Sequence, residues 1–397
     1  MKSQVVRFSL KLALFSIPVL AYLAATVGLG YWAGEFRPLR DVAAVQAGGE
    51  PVLYGRAYRD NFFAFKLIAT MVRKPDVLVI GSSRSMQFRA GLLNRAPDRF
   101  YNAGGAAQRI EEISEFLNGL DSASLPKVLI LGLDQPWFNQ NTSQGFSPRR
   151  AGQQLDDEQR TGFERAMNAG RFILKDLANA RIRPAALARH TDPFSGGYAI
   201  GISAIVRGWG FRNDGSFQYA SSTYLRPQTS EQRLAESLAR LTNGQDHLTS
   251  GDRIADSAMS ALESVLQFCR DHSIEALGFS PPYAPAILDR MNEQGRHSYL
   301  QVYTGKVSAL FEKYDFVFMD SLDPTTRGGS DDDMMDGFHG SEFLMASIYR
   351  TFLEQRPQVL GRYTDAAALD ELIRNRKHPF LLFDADVSRL KKALLTQ

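Results

Sequence analysis

The sequence predicts an α/β protein built on a parallel β-sheet and preceded by one membrane-spanning helix. Short apolar runs typical of strands alternate with amphipathic stretches typical of helices, which is the pattern of βαβ units. The chain has 397 residues, 44% of them hydrophobic, and this is enough to bury a large core. One apolar run near the N-terminus is long enough to cross a bilayer.

That apolar run covers residues 12–33 and contains no charged side chain. At about 1.5 Å per residue it spans the roughly 30 Å of a bilayer core. Lys2, Arg7 and Lys11 precede it, so the positive-inside rule places residues 1–11 in the cytoplasm. A cleaved signal peptide is the alternative, but the run exceeds the usual length of roughly 7–15 residues and lacks a good small-x-small cleavage site. We therefore expect a single-pass protein of the inner (cytoplasmic) membrane, with its folded domain in the periplasm or outside the cell.

The folded domain is expected over residues 74–357. Residues 34–73 are rich in Gly, Pro and charge and are expected to form a stalk with a lead-in helix near 62–71. The predicted strands are 76–80, 100–102, 127–133, 275–280 and 316–319. One helix is predicted to begin near Arg89. Four more are predicted over residues 110–120, 254–272, 291–314 and 341–353. Residues 358–397 are expected to form a solvated amphipathic tail.

The pattern changes between about residues 140 and 250, which we interpret as a helical and irregular insertion. Helix-prone segments at 156–180 and 230–241 flank a glycine-rich, aromatic stretch at 208–216. A cap at the carboxyl edge of a parallel sheet commonly shapes a substrate pocket. Aromatic side chains in such a cap are suited to stacking on sugars. They are Trp209, Phe211, Phe217 and Tyr219.

The strongest chemical signal is a serine turn with a matching histidine far downstream. The apolar run 77–80 is followed by Gly81, Ser82 and Ser83, the way a parallel-sheet enzyme presents a nucleophile at a strand end. A serine hydroxyl is inert at its own pKa, and attacks an acyl carbon when a histidine oriented by a carboxylate accepts its proton. His339, with Asp336 three residues before it, supplies both groups. A helix beginning at the serine turn would direct its positive end at the developing anion.

These residues resemble the SGNH (GDSL-type) hydrolase superfamily. Gly81, Ser82 and Ser83 match its strand-end Gly-Asp-Ser, with serine in place of aspartate, and this form looks like that of membrane-anchored branches acting on cell-envelope polymers. The superfamily's Asp-x-x-His matches residues 336–339 without a departure. The resemblance covers about residues 74–355, except for the insertion. It implies a flavodoxin-like, doubly wound sheet with Ser83 as the nucleophile.

The second block of the superfamily, Asn-x-Gly-x-x-Gly, is matched in part by residues 102–107. Asn102 and Gly104 are in place, whereas Ala107 stands where a glycine is usual. The resemblance implies that a backbone N–H of this turn donates to the developing oxyanion. Gly104 and Ala107 are the candidate donors, and Gly104 is the safer choice.

The third block, Gly-x-Asn-Asp, lacks its asparagine because Asp134 stands at that position. In the family the asparagine stabilises the oxyanion, and an ionised carboxylate cannot donate a hydrogen bond. Gln135 and Asn139 are candidate substitutes. Asp134 is alternatively a partner of Arg84 or Arg109 at the pocket wall.

Composition excludes other classes of function. The formal net charge of +3 arises from 46 basic and 43 acidic residues spread along the chain, so no basic block indicates nucleic-acid binding. The single cysteine, Cys269, excludes a disulfide within the chain. Acyl transfer through a serine needs no metal and no organic cofactor, and none is expected.

Together these features predict an anchored domain that forms an acyl-enzyme on Ser83 and acts on an envelope or exported polysaccharide. The architecture resembles accessory proteins of alginate O-acetylation and teichoic acid D-alanylation, so a membrane-bound O-acyltransferase is the expected partner. Ester hydrolysis and acyl transfer both stay open. The alternative is a catalytically inactive SGNH-like scaffold or carbohydrate-binding subunit, which the missing third-block asparagine favours.

Overall fold

A five-stranded parallel sheet forms the centre of the protein. The structure is a computed structural model, and it describes residues 2–57, 62–142, 172, 190–225 and 228–395. The described strands are β1 (Val52–Tyr54), β2 (Val77–Gly81), β3 (Phe100–Gly104), β4 (Val128–Gly132), β5 (Tyr198–Ile200), β6 (Gly210–Phe211), β7 (Phe217–Gln218), β8 (Glu275–Phe279) and β9 (Val317–Met319). The main sheet has the order β3-β2-β4-β8-β9, with every neighbouring pair parallel. Counted along the chain within this sheet, the order is 2-1-3-4-5, as in flavodoxin-like doubly wound sheets. The five predicted strands and their parallel pairing are confirmed.

Helices cover both faces of the main sheet. Leu78 and Ile80 of β2 belong to one hydrophobic core, whereas Val77 and Val79 belong to the other. Strands buried on both faces have continuous apolar sequences, which explains why these strands are recognisable in the sequence. The described helices are Lys2–Ala33, Leu39–Ala47, Phe63–Arg73, Ile110–Asn118, Ile202–Arg207, Ser221–Leu225, Ser230–Thr242, Asp256–Asp271, Pro285–Gln294, Tyr299–Lys313, Glu342–Gln355, Pro357–Leu360, Ala366–Arg374 and Asp384–Leu395.

Two helices differ from the sequence prediction. A single 3-10 turn, Ala90–Leu92, stands where the sequence predicts a helix from about Arg89. The helix expected over 291–314 is two helices, because Gly295 ends the first of them with a φ of 62°. Such a left-handed residue at a helix C-terminus favours glycine.

The N-terminal helix is consistent with the expected membrane anchor. Its segment Gln4–Ala33 is long and apolar enough to cross a membrane, with a mean hydropathy of 2.1. The rest of the protein buries only 6% of the most apolar 18-residue stretch of this helix, so side chains such as Phe15 are exposed. An uncovered apolar surface of this length is stable in lipid and costly in water.

Residues 34–57 fold onto the domain, so the expected stalk is wrong for this segment. The helix Leu39–Ala47 packs against Phe63–Arg73 and buries Leu39 and Val42. The strand β1 lies in a second sheet of order β5-β1-β6-β7, where it pairs with β5 in parallel and with β6 antiparallel. These elements are too short to produce a sustained period in the sequence, and this is why a stalk is predicted instead.

The insertion after β4 contributes β5, β6 and β7 to the second sheet, in addition to the expected helical and irregular parts. The helix predicted over 230–241 is confirmed as Ser230–Thr242. It begins with a capping box, in which the Thr229 hydroxyl accepts from the Gln232 N–H and the Gln232 side chain accepts from the Thr229 N–H. The helix predicted over 156–180 lies outside the described residues.

The C-terminal segment packs against the domain, so the solvated tail expected over 358–397 is wrong for its described part. The Leu382 N–H donates to Glu342 Oε2 over 2.9 Å. Asp386 forms an ion pair with Arg89, with 3.0 Å between Oδ2 and Nη1, and Arg89 also pairs with Glu342. These contacts join distant parts of the chain, and no local pattern reveals them.

Asp214, from the glycine-rich stretch of the insertion, completes this buried network. Its Oδ2 lies 3.3 Å from Arg89 Nε and accepts from the Ala90 N–H, while Oδ1 accepts from the Ser216 hydroxyl. Burial alone would raise the pKa of Asp214, but Arg89, the Ser216 hydroxyl and the Ala90 N–H outweigh it and lower the pKa to about 2. The carboxylate is therefore stabilised in the folded state.

Because the folded protein holds this proton less tightly than the unfolded chain, the contribution of Asp214 to stability is complete above its ordinary pKa of 3.8 and is lost as the pH falls toward 2. The shift corresponds to about 2 kcal/mol. We expect Asp214→Asn to lower the free energy of unfolding by about that amount at about pH 6 and by less at about pH 3. Urea unfolding of the detergent-solubilised wild type and variant measures this difference. A difference that does not change with pH would contradict a stabilising role of the ionised Asp214 carboxylate.

Candidate active site

Ser83 lies directly after β2, at the carboxyl edge of the main sheet. Only the 3-10 turn Ser83–Ser85 follows it, so the helix expected to begin there is absent. The Ser82 hydroxyl caps this turn by accepting from the Arg84 N–H. Glycine is favoured at position 81, because a Cβ there would lie 2.5 Å from Ser85 Oγ and 2.9 Å from the backbone oxygen of Gly132. The turn thus brings Ser83 close to the sheet edge between β2 and β4.

The structure brings Ser83, His339 and Asp336 into one hydrogen-bonded chain. Ser83 Oγ lies 2.8 Å from His339 Nε2, and His339 Nδ1 lies 2.7 Å from Asp336 Oδ2. The other carboxylate oxygen of Asp336 accepts from the N–H groups of Phe338 and His339. This local turn orients the imidazole, and its residues are near neighbours in the sequence.

Asp336 is held in its ionised form. Partial burial alone would raise its pKa, but the neighbouring His339 and the Phe338 and His339 N–H groups outweigh that effect and lower the pKa below the ordinary value. An ionised carboxylate at Nδ1 fixes the tautomer in which Nε2 accepts a proton. The arrangement is therefore chemically able to take a proton from Ser83.

The residues that the resemblance implies as oxyanion donors hold the β3 turn together. The Gly104 N–H donates to Asn102 Oδ1 over 2.6 Å, and the Ala107 N–H donates to Gly81 O over 3.2 Å. The Asn102 side chain donates to Ser85 O and also to the carbonyl of Phe88. Both candidate backbone donors thus have acceptors within the protein.

The candidate substitutes from the third block are also engaged. Gln135 Nε2 donates to Pro281 O over 2.7 Å, and Asn139 Nδ2 donates to Thr249 O over 2.9 Å. The Ser83 N–H occupies the first position of the 3-10 turn, and donors at the start of a helical turn have no acceptor within it. Among these backbone donors, the Ser83 N–H is therefore the one to which the turn supplies no acceptor.

Asp134 lies in the wall behind Ser83 and pairs with Arg84, one of its two candidate partners. Its Oδ2 accepts from the Ser82 hydroxyl over 2.8 Å and lies 3.8 Å from Arg84 Nη1. Asp134 and Arg84 are only 1% and 3% exposed, so neither charge is well hydrated. This pair accounts for a carboxylate at position 134.

Arg84 also joins the serine turn to the histidine loop, a role that the sequence analysis did not assign. Its Nε donates to Phe338 O over 3.0 Å, beside His339. Its Nη2 donates to Pro281 O and Pro282 O over 2.7 and 2.9 Å. The available signal is the position of Arg84 directly after Ser83, because a residue of the serine turn lies at the sheet edge where downstream loops can contact it.

We expect Asp134→Asn to lower stability and reactivity together. The amide leaves the Arg84 charge without its carboxylate but keeps the hydrogen bonds of Arg84 to backbone carbonyls, so we expect a cost of about 1–3 kcal/mol. Thermal melting and the rate of Ser83 labelling by a fluorophosphonate measure the two effects, with Asp98→Asn as the control because Asp98 is largely exposed. A faster reaction at unchanged stability would instead indicate that Asp134 weakens the oxyanion site.

A cavity of about 530 Å³ adjoins Ser83 and His339. All four cap aromatics identified in the sequence line it, namely Trp209, Phe211, Phe217 and Tyr219. Burial and the neighbouring Asp336 raise the pKa of Tyr219 well above its ordinary value, so its phenol stays protonated. The expected cap therefore forms a wall of the candidate site.

No family model, no curated protein and no solved structure matches this chain. The fold and the site define it as an α/β protein with an N-terminal apolar helix and a Ser-His-Asp cluster at the carboxyl edge of a parallel sheet. Within the part of the chain that the structure describes, no group of three or more His, Cys, Asp or Glu residues is placed to hold a metal ion.

Proposed function

We propose that this protein is an SGNH-type serine esterase or O-acyltransferase that acts outside the cytoplasmic membrane on an envelope or exported polysaccharide. The observation that carries the proposal is the chain of hydrogen bonds from Ser83 through His339 to Asp336, with distances of 2.8 and 2.7 Å. These are the contacts that a serine nucleophile needs for activation. They form at a sheet edge where α/β proteins commonly bind ligands.

In the proposed reaction, Ser83 Oγ attacks the ester carbonyl carbon while His339 Nε2 takes the hydroxyl proton. The tetrahedral intermediate expels the alcohol, which leaves with the proton from His339, and an acyl-enzyme remains on Ser83. Water or an acceptor hydroxyl then attacks this ester, again giving its proton to His339, and Ser83 is regenerated. Asp336 stabilises the imidazolium that forms in each half of the reaction.

The polysaccharide and the partner rest on architecture. The N-terminal helix is suited to keep the domain near the membrane, where exported polymers pass, and a tethered enzyme encounters them at a raised effective concentration. This arrangement resembles the accessory proteins of alginate O-acetylation and teichoic acid D-alanylation. A membrane-bound O-acyltransferase is accordingly the proposed partner and source of acyl groups.

A fluorophosphonate probe on the detergent-solubilised full chain tests the proposal. The probe forms a covalent bond only with an activated serine, so we expect labelling that requires Ser83 and that His339→Ala abolishes. Absence of labelling in a folded protein would refute the enzymatic function.

The engaged oxyanion candidates favour a second function. Gly104 and Ala107 both donate within the protein, and the third-block asparagine is absent, so stabilisation of a tetrahedral intermediate rests mainly on the Ser83 N–H. Loss of one oxyanion donor costs about 3–4 kcal/mol in a hydrolase built around it. On this alternative the protein is an inactive SGNH-like scaffold or carbohydrate-binding subunit. It predicts polysaccharide binding without labelling of Ser83.

A further inference from the structure

We propose that the aromatic cavity beside Ser83 receives the acyl group of the substrate, and that this group is an apolar chain longer than acetyl. The inference rests on the proposed acyl transfer at Ser83. A volume of about 530 Å³ is far more than an acetyl group fills. It lies within the range of about 300–1,000 Å³ typical of sites for whole small molecules.

The chemistry of the aromatic part of the lining favours an acyl chain over a sugar. Phe62, Phe65, Phe211 and Phe217 carry no group that hydrogen bonds to a hydroxyl, and Met86 beside them adds a further apolar surface. A sugar enclosed by such walls would lose hydrogen bonds to water without replacement, at a cost of about 1–3 kcal/mol for each group. An alkyl chain gains about 0.8 kcal/mol for each buried methylene.

The aromatic wall is formed before any ligand binds. Phe62 packs edge-on against Phe211 at 4.7 Å between ring centroids, and Phe211 packs in the same way against Phe217 at 5.1 Å. Trp209 contacts Phe217 at 5.7 Å. Edge-to-face contacts of this kind stabilise one arrangement of the rings, so the cavity does not need to be opened by the substrate.

The two arginines in the lining interact with other parts of the protein. Arg56 Nη2 donates to Arg37 O over 3.0 Å, and Arg240 Nη2 donates to Glu236 Oε1 over 2.5 Å. The polar groups at the reacting end are those of Ser83, His339 and Asp336, and the hydroxyls of Tyr54, Ser203 and Tyr219 lie elsewhere in the lining. An ester carbonyl at Ser83 with its chain directed into the aromatic space therefore matches both parts of the cavity.

The cavity is built on the segment that follows the apolar helix. Leu39 and residues 54–57 contribute to its wall, and the helix ends at Ala33. Ala33 is itself buried, and its carbonyl accepts from the Gly201 N–H over 2.6 Å. A membrane-anchored helix would thus hold the cavity close to the bilayer surface, where the acyl chains of lipid esters are available.

A series of alkyl fluorophosphonates with ethyl, butyl, octyl and dodecyl chains tests the inference on the detergent-solubilised full chain. The alkyl group takes the place of the acyl chain, and the rate of Ser83 labelling needs no turnover. We expect the second-order labelling rate to rise at least tenfold from ethyl to octyl, since each fully buried methylene strengthens binding by about fourfold. Equal or falling rates would overturn the acyl-chain inference while leaving the serine chemistry intact. No labelling with any probe would refute both.

Matched variants locate the effect in the cavity. Trp209→Ala removes part of the wall and should lower the octyl-to-ethyl rate ratio several-fold. Phe316→Ala is the control, because this partly buried aromatic lies just before β9, at the opposite edge of the main sheet. An equal change of the ratio in both variants would contradict the assignment to the cavity, whatever their stabilities.

A comparison of acyl donors shows whether the acyl group comes from a membrane lipid or from a soluble ester. The wild-type protein is offered a soluble octanoyl ester, a soluble acetyl ester or phosphatidylcholine vesicles, and the acyl group on Ser83 is identified by mass. Transfer from vesicles indicates a lipid donor, and transfer from the soluble ester alone indicates a free one. Both results support an apolar acyl group, whereas a protein acylated only by an acetyl ester would overturn it.

Discussion

Ser83→Ala and His339→Ala should each lower the ester turnover of the full-length protein by about 10³-fold or more, with little change in melting temperature. The two side chains share the hydrogen bond through which the proposed proton transfer would run, and neither belongs to a hydrophobic core cluster. Asp336→Asn should be nearly as damaging, because an amide does not fix the imidazole in the tautomer that accepts from Ser83. Steady-state hydrolysis of an aryl ester measures the losses.

Two comparisons make this prediction specific. The double variant of Ser83 and His339 should lose no more than either single variant, because the residues act as one unit. Ser82→Ala is the matched control, since the Ser82 hydroxyl donates to Asp134 and it is Ser83 that contacts the histidine. If Ser83→Ala kept the wild-type rate while Ser82→Ala did not, the nucleophile would be Ser82.

The second large effect is expected for Arg84→Gln, which should lower both stability and reactivity. The guanidinium supplies hydrogen bonds to Phe338 O, Pro281 O, Pro282 O and Gln135 Oε1 and lies next to Asp134. Its removal leaves a buried carboxylate without its cation, which costs about 3–5 kcal/mol. Because Phe338 precedes His339, the contact between Ser83 and His339 should loosen as well, and labelling of Ser83 should slow at least tenfold.

Urea unfolding and labelling at a temperature well below melting separate these two consequences. Arg84→Lys keeps the positive charge but loses the several N–H donors of the planar guanidinium. Compared with Arg84→Gln, it should therefore restore part of the stability and little of the labelling rate. Arg356→Gln is the control, because Arg356 pairs with Glu275 at the start of β8, away from the serine. A purely structural role for Arg84 would leave the labelling rate of the folded variant unchanged.

The sequence was sufficient for the main sheet and for the Ser-His-Asp cluster, for identifiable physical reasons. Strands buried on both faces are continuous apolar runs, so β2, β4 and β8 are visible without any tertiary information. The orientation of His339 by Asp336 arises within a four-residue turn. Parallel strand ends must meet at one edge, and this brings Ser83 and the histidine loop together.

The remaining features depend on contacts between distant residues. The second sheet is made from strands of two or three residues, and β1 meets β5 across more than a hundred positions. The tail is held by Arg89 and Asp386, which share no local pattern. The oxyanion donors show the same limit on a smaller scale: Gly104 and Asn102 form a recognisable motif, but only geometry reveals that one bonds to the other.

The measurement that tests the central claim most directly is the identification of the atom that carries the acyl group. The full-length protein is mixed with an octanoyl aryl ester, quenched in acid within the first turnover and digested with trypsin. The peptide that ends at Arg84 contains both Ser82 and Ser83, so fragmentation must assign the added mass. We predict an octanoyl group on Ser83 that is absent from Ser83→Ala. An adduct on Ser82, or ester turnover by a protein that never carries an adduct at Ser83, would contradict the proposed acyl-enzyme.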